Sequence, residues 1–383
     1  MKRIAVLLTS IPQSGGEHQY LKTIMEALAE SEKRDFNVLA ICCNNYWLGW
    51  CRMRHVQRVS YDLERYSSKR MKLNADCKFL PLIYNTYFTK LGKIILDHKI
   101  DMLIGGQQSV FIPRLACKII QPVHDLMHRY EAHFSEISST YEWRENYFSC
   151  SARISDVILV DSQLGRKQYQ ECYYKRGKHM PKVKVLPFAV SDSNMAEEQY
   201  IDVPSKYIFY PAQFWEHKNH RNLVLAVNRL KEKLPDIHLV LVGSDRNYRK
   251  EIEQIIRKNG LKDHISIRGF VSDKQITYLY RHAIALVMPT FIGPTNIPPL
   301  EAMALGCPVI VSDRYAMPEQ VGKAGLLCNP GSVEEIADCI EKVWNDEELR
   351  QNMIIEGYKQ SQKWTVNAFK RRFLKIVVNE LGN

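Results

Sequence analysis

The chain has 383 residues, 45% hydrophobic and 25% charged, with 18 Gly and 16 Pro, a balance that excludes a disordered, collagenous or coiled-coil polypeptide. At roughly 100–200 residues per domain the length predicts two domains, each able to bury its own core. The net charge of +11 is unevenly spread: residues 1–190 hold 28 Lys+Arg against 18 Asp+Glu, and residues 191–383 hold 25 against 24. The surplus directs the first half toward an acidic partner, whether nucleic acid, an anionic membrane face or a phosphate-bearing substrate.

The start, Met1–Leu8, has too short an apolar run for a signal peptide and is followed by no small-residue cleavage site. No stretch reaches the roughly 18 apolar residues of a membrane span, so a cytoplasmic location is expected. Ten cysteines include no Cys-x-x-Cys pair and read as reduced, mostly buried thiols, with no metal site expected.

In chain order, the apolar run Ile4–Leu8, the turn-like Ser10–Gly16 and a helical pattern through Tyr20, Leu21, Ile24, Met25 and Leu28 predict strand, glycine-rich loop and helix. Further strands are expected at Val38–Cys42, Met102–Ile104, Ile119–Val123, Val157–Val160 and Val183–Val190, before a polar linker at Ser191–Ser193. The pattern then restarts. Strands are expected at Tyr207–Tyr210, His238–Val242, Ile265–Ile267, Ala285–Met288 and Pro308–Val311, with helices at Asn222–Leu230, Asp273–His282 and Pro299–Leu305. Alternation of this kind implies an α/β protein with two doubly wound parallel sheets. Ligands of such sheets bind beyond the carboxyl ends of the strands, so two facing sheets would form a cleft. The domains are drawn at 1–190 and 191–365, with the apolar-striped helix 366–383 packing back on the first.

The most informative stretch is Thr290–Ile310, where a strand ends, a Gly/Pro/Asn loop follows and a helix begins near Pro299. Helix N-termini offer free N–H groups to phosphate. Glu301, placed in the first turn, reads equally as a complement to the helix dipole or as an acceptor for ligand hydroxyls such as those of a ribose.

Pro298-Pro299-Leu300-Glu301-Ala302-Met303-Ala304-x-Gly306-x-Pro308-Val309-Ile310 resembles the signature of the family 4 retaining glycosyltransferases, which have the GT-B architecture of two facing Rossmann-like domains. The similarity continues in Lys218-Asn219-His220, Leu241-Val242-Gly243, Gly269-Phe270-Val271 and Pro318-Glu319, and more weakly in Gly15-Gly16, His124-Asp125 and Val160-Asp161-Ser162. The resemblance implies transfer of a sugar from a nucleoside diphosphate sugar, GDP- or UDP-linked, to a glycan or glycolipid acceptor, with no cofactor and no tightly bound metal. It assigns Lys218, the amides of Thr295, Asn296 and Ile297, and the Gly15-Gly16 loop to the diphosphate. Glu301 goes to the ribose and His124 to the donor sugar, with Asp125 either orienting the imidazole or capping the next helix. Gln213, Gly243 and Phe270 complete the expected donor-binding set.

Two departures stand out. The glutamate usual eight residues before Glu301 is Gly293, and the arginine usual five before Lys218 is Gln213, which brings no charge. They point to altered donor handling or to a catalytically degenerate partner protein. The basic, aromatic-interleaved Arg52–Lys72, followed by Phe79, Tyr84, Tyr87 and Phe88, suits peripheral contact with anionic lipid or is a solvated basic loop. Lys175–His179 reads as a surface loop. A dinucleotide-dependent oxidoreductase is disfavoured because the first loop is no Gly-x-Gly-x-x-Gly. A nucleic-acid-binding protein would explain the charge but lacks a recognition motif, so no nucleic-acid partner is expected.

Overall fold

The inner strands run mostly Val, Ile and Leu without the polar alternation of a one-sided sheet, so both faces of each sheet need cover. The computed structural model describes residues 1–31, 36–174, 180–190, 197–269 and 271–382. Contacts divide the chain into one unit of Met1–Pro187 with Phe369–Asn383 and a second of Phe188–Ala368.

The first unit runs β1 (Lys2–Leu8), α1 (Gly16–Ser31), β2 (Phe36–Cys42), α2 (Asn45–Met53), β3 (Gln57–Ser60), α3 (Ser68–Asp76), α4 (Phe79–Phe88), α5 (Lys90–Asp97), β4 (Met102–Gly105) and β5 (Lys118–Val123). It continues through the short α6 (Met127–Tyr130) and α7 (Ser135–Ser138) to α8 (Tyr141–Ile154), β6 (Val157–Val160), α9 (Gln163–Tyr173) and β7 (Lys182–Val185). Its strands pair in parallel in the order β3-β2-β1-β4-β5-β6-β7, so the order reverses between β1 and β4.

The second unit runs β8 (Ile208–Pro211), α10 (His220–Leu230), β9 (Leu239–Val242), α11 (Arg249–Lys258), β10 (Ile265–Arg268), α12 (Asp273–His282), β11 (Ala285–Met288), α13 (Ile297–Ala304) and β12 (Val309–Ser312). After these come α14 (Met317–Val321), β13 (Gly325–Cys328), α15 (Val333–Asn345), α16 (Glu347–Ser361) and α17 (Val366–Gly382). The order β10-β9-β8-β11-β12-β13 is again parallel and reverses between β8 and β11. Each unit is thus a Rossmann-like doubly wound sheet.

From Phe369 onward α17 belongs to the first unit. Phe373 and Val377 are fully buried, Phe369 meets the Tyr20 ring edge-on at 5.2 Å, and Lys182 pairs with the buried Glu380 at 2.7 Å.

Several elements differ from expectation. The strand expected over Val183–Val190 ends at Val185, ahead of Pro187, which has no N–H for a ladder. The basic stretch Arg52–Lys72 is no loop: it holds the end of α2, the strand β3 and the start of α3. β3 (Gln-Arg-Val-Ser) has no apolar run to announce it, and β13 (Gly-Leu-Leu-Cys) has only a short one behind a glycine; both are edge strands. α13 begins at Ile297, two residues before Pro299, with both prolines in its first turn. The Ser191–Ser193 linker and Lys175–His179 lie outside the described residues.

Phe373 sits wholly inside the first unit, so Phe373→Ala should lower its stability by about 3–5 kcal/mol. Chemical denaturation monitored by circular dichroism measures the loss.

Candidate functional site

In the second unit, the reversal of strand order sends the loops after β8 and β11 in opposite directions and leaves a crevice between their starts. Both loops carry expected site residues. The β8 loop closes in a short 3-10 turn, Glu216–Lys218, which ends on Asn219 in the left-handed region (φ 61°). Asn219 holds that turn by donating to the carbonyls of Pro289 and Pro330, each at 2.7 Å. The backbone of His217 accepts from Phe291 N–H at 2.9 Å and from Thr290 Oγ1 at 3.1 Å, which clamps the two loops together.

The clamp brings Lys218 to Asn296 across 78 residues of sequence: Nζ donates to Oδ1 at 3.3 Å. Lys218 is half-buried, and no carboxylate among the described residues pairs with it. Desolvation pushes its ammonium down to about 8. Its neighbour His220 has a different task. It stacks on Phe214 at 4.5 Å and is held neutral by burial, pushed down to about 3.

Of the three amides expected to meet the diphosphate, Asn296 N–H is already taken, donating to Gln320 Oε1 at 3.0 Å while the Asn296 carbonyl accepts from Gln320 Nε2. Its contribution is therefore the side-chain contact to Lys218, a correction to the expectation. Ile297 opens α13, so its N–H is one that no intrahelical carbonyl reaches. Thr295 is buried just before it.

Glu301 lies beyond the first turn of α13, because the helix starts earlier than expected; the dipole-complement reading loses its ground. Instead the carboxylate accepts from Tyr280 Oη at 3.0 Å. Desolvation pushes it up to about 7, against the opposing Tyr280 hydrogen bond and with Asp273 adding repulsion.

The two departures from the family pattern have physical counterparts. A Cβ at Gly293 would stand 2.9 Å from both Asn296 Nδ2 and Met317 Cγ, so the space of the missing glutamate is filled, partly by the residue that holds Lys218. Gln213 is exposed, and its Oε1 accepts from Trp215 Nε1 at 3.0 Å and from Arg246 Nε at 3.3 Å. The guanidinium of Arg246 lies 5.1 Å from the Trp215 ring centroid. The cation missing at position 213 thus stands beside it, supplied by the loop after β9. Gly243 is required by packing: a Cβ there would lie 2.1 Å from the Ala212 carbonyl oxygen. Phe270 lies outside the described residues.

In the first unit, Gly15 has φ 61° and ψ −126°, a conformation open essentially to glycine alone. Gly16 opens α1. The cradle is not purely cationic, because Glu17 follows at once and is fixed by Gln107 Nε2 at 2.9 Å. These glycines therefore offer close backbone approach more than charge.

His124 follows β5 and Asp161 follows β6. The register pairs Val123 with Val160, so the next residues stand side by side: His124 Nδ1 lies 3.0 Å from Asp161 Oδ1, both buried. Burial opposes an imidazolium, but Asp161, with Glu17 and Asp125 adding, outweighs it and holds the His124 pKa above its ordinary value. Asp125 takes the capping role. It accepts from Met127 N–H at 3.0 Å, from Gln108 Nε2 at 3.2 Å and from the Arg144 guanidinium. A cavity of about 130 Å³ adjoins, lined by Glu17, Gln108, Ser109, Trp143, Arg144 and Phe148 among others.

Sequence reasoning did not single out Arg246, Tyr280, Gln320 or the orienting role of Asp161. Only Asp161 had a usable signal, as the first polar residue after the apolar run Val157–Val160.

Residues 192–360 match the family described as glycosyl transferases group 1. The O-antigen chain mannosyltransferase B of Escherichia coli is 28% identical over 173 residues, covering 43% of this chain but only 45% of its own length. Alpha-1,3/1,6-mannosyltransferase ALG2 of Homo sapiens is 24% identical over 80% of this chain and 79% of its own. Among solved structures, sucrose-phosphate synthase of Thermosynechococcus elongatus superposes with a TM-score of 0.73 over the whole of both chains at 16% identity, a likeness of fold.

Three substitutions test the site. Asp161→Asn should move the His124 imidazole titration, read by NMR, to lower pH. Arg246→Ala should weaken nucleoside diphosphate binding about tenfold or more, the scale of one charged hydrogen bond, and adding Gln213→Arg should restore it.

Proposed function

We propose that the chain, whose residues 192–360 match the glycosyl transferases group 1 family and whose fold is that of GT-B enzymes, is a glycosyltransferase that moves a mannosyl residue from a nucleoside diphosphate sugar to a hydroxyl of a growing cell-surface glycan. Support for the sugar comes from relatives of both bacterial and mammalian origin named as mannosyltransferases. One observation carries the chemistry: Lys218, half-buried, with no carboxylate partner among the described residues and held at the start of α13, is a cation prepared for an anion.

The leaving nucleoside diphosphate carries negative charge that grows as the glycosidic bond breaks, and preorganised donors stabilise it most where water is excluded. Lys218, Arg246 and the Ile297 amide at the α13 N-terminus take this part; within the first unit, Gly15-Gly16 leave the backbone open to close approach by a phosphate. Glu301 accepts the ribose hydroxyls, its Tyr280 contact fixing its orientation. His124, held by Asp161, hydrogen-bonds the donor sugar.

The transfer is retaining, with the acceptor attacking the face the diphosphate leaves. The C1–O bond to phosphate breaks, the new C1–O bond forms, and the acceptor's proton passes to the departing phosphate oxygen. No protein nucleophile and no metal are required by this route. Trp143 and its polar neighbours offer the stacking surface and hydrogen bonds that suit an acceptor sugar. The basic surplus of residues 1–190 suits an acceptor linked to lipid at an anionic, cytoplasmic membrane face.

Calorimetric titration with GDP, UDP and ADP, each with and without magnesium, tests the reading. One diphosphate should bind equally well with or without the metal, and Lys218→Ala should weaken it about 10–100-fold. Because Glu301 must be ionised and Lys218 protonated, affinity should rise as pH climbs to about 7 and fall above about 8. Binding of none of the three, or binding without turnover of any sugar nucleotide, would assign the chain to a degenerate partner role.

A further inference from the structure

The helix α4, Phe79–Phe88, is inside out. Its buried positions include two polar residues, Asn85 and Thr86. Asn85 Nδ2 donates to Asn74 Oδ1 at 2.5 Å and to the Arg114 carbonyl at 3.1 Å, and Thr86 Oγ1 accepts from Ala116 N–H at 3.2 Å. Phe79, Leu80, Ile83, Tyr84, Tyr87 and Phe88 all point to solvent, with Phe79 74% and Phe88 70% exposed. At 100° per residue these six fall within one half of the helix circumference, so they form a single apolar stripe and not scattered surface residues. A water-soluble surface has no reason to fix a helix by its polar face and display the apolar one.

Charge around the stripe says what covers it. No Asp, Glu, Lys, Arg or His lies within α4, but exposed Lys78 precedes it and exposed Lys93 follows, as does Lys90, paired at the surface with Asp62 at 3.8 Å. From Arg65 to Lys93 there are seven Lys+Arg and one acidic residue, Asp76, and Asp76 is already paired with Arg153. An apolar stripe bracketed by lysines matches a surface that offers hydrocarbon just beneath fixed negative charge. The aliphatic stems of the lysines would lie along the apolar layer while their ammonium groups meet the headgroups.

We infer that α4 is a membrane-docking helix that lies in the plane of an anionic lipid bilayer, inserting Phe79, Leu80, Ile83, Tyr84, Tyr87 and Phe88 among the acyl chains. No helix among the described residues is long and apolar enough to cross a membrane, so this contact is peripheral. It rests on the first unit alone and stands whether or not the transferase reading does.

The test is co-sedimentation of the full chain with vesicles of phosphatidylcholine alone and of phosphatidylcholine mixed with phosphatidylglycerol, with no sugar nucleotide present. The protein should bind the mixed vesicles, less tightly as salt rises. Phe79→Ser with Phe88→Ser should weaken that binding at least about tenfold, with the circular dichroism spectrum and the thermal unfolding midpoint unchanged. Lys78→Gln with Lys93→Gln should remove the preference for the anionic lipid. Should the serine pair fail to fold, Tyr84→Trp gives a second reading: its added emission should shift to the blue with mixed vesicles. No binding to mixed vesicles, equal binding by the serine pair, or an unshifted emission from the Tyr84→Trp variant would overturn the inference. So would a dimer that the serine pair converts to monomer, which would assign the stripe to a second copy of the chain.

Discussion

An ammonium group withdrawn from water, with an amide carbonyl as its partner, is the constraint around which the second unit is arranged. Lys218 holds that position because Asn219 accepts a left-handed backbone, because His217 is clamped by the Thr290–Phe291 backbone and hydroxyl, and because Gln320 pins Asn296 through both its amide and its carbonyl. Each of these interactions would be worth about 1 kcal/mol on its own; together they keep a charge where it is costly. A site strained in this way gains most when an anion arrives, which is the electrostatic preorganisation that departure of a phosphate needs.

The same logic explains the two departures from the family pattern. Removing the glutamate to leave Gly293 lets Asn296 and Met317 close over that position, and Asn296 then becomes the lysine's partner. Replacing the arginine with Gln213 does not remove the cation from the neighbourhood, since Arg246 reaches the same place from the loop after β9. Positive charge beside position 213 is thus kept while its source in the chain changes.

The first unit divides its labour differently. Its contribution at the strand ends is a buried His–Asp pair and a glycine turn, and Glu17 keeps the α1 N-terminus from being purely cationic. Its positive charge lies elsewhere, around α3 to α5, where it brackets the outward-facing aromatic stripe of α4. Polar anchoring by Asn85 and Thr86 is what makes that display stable: their hydrogen bonds satisfy buried groups that would otherwise cost stability.

By itself the sequence determined the two doubly wound sheets, since apolar strands buried on both faces leave uninterrupted runs such as Ile4–Leu8 and Ala285–Met288. It also marked the loops at the strand ends, because glycine, proline and asparagine there report local backbone needs. The edge strand β3 escaped it, being freed from the burial that writes such runs. Only the tertiary structure decided which side chains meet. Lys218 and Asn296, Gln213 and Arg246, and His124 and Asp161 are joined by strand order and register, and a contact made across 33 to 78 residues leaves no local periodicity. It also decided which way α4 faces: a helix with apolar residues on one side looks the same in sequence whether that side turns to the core or to solvent, and the buried hydrogen bonds of Asn85 and Thr86 settle the question.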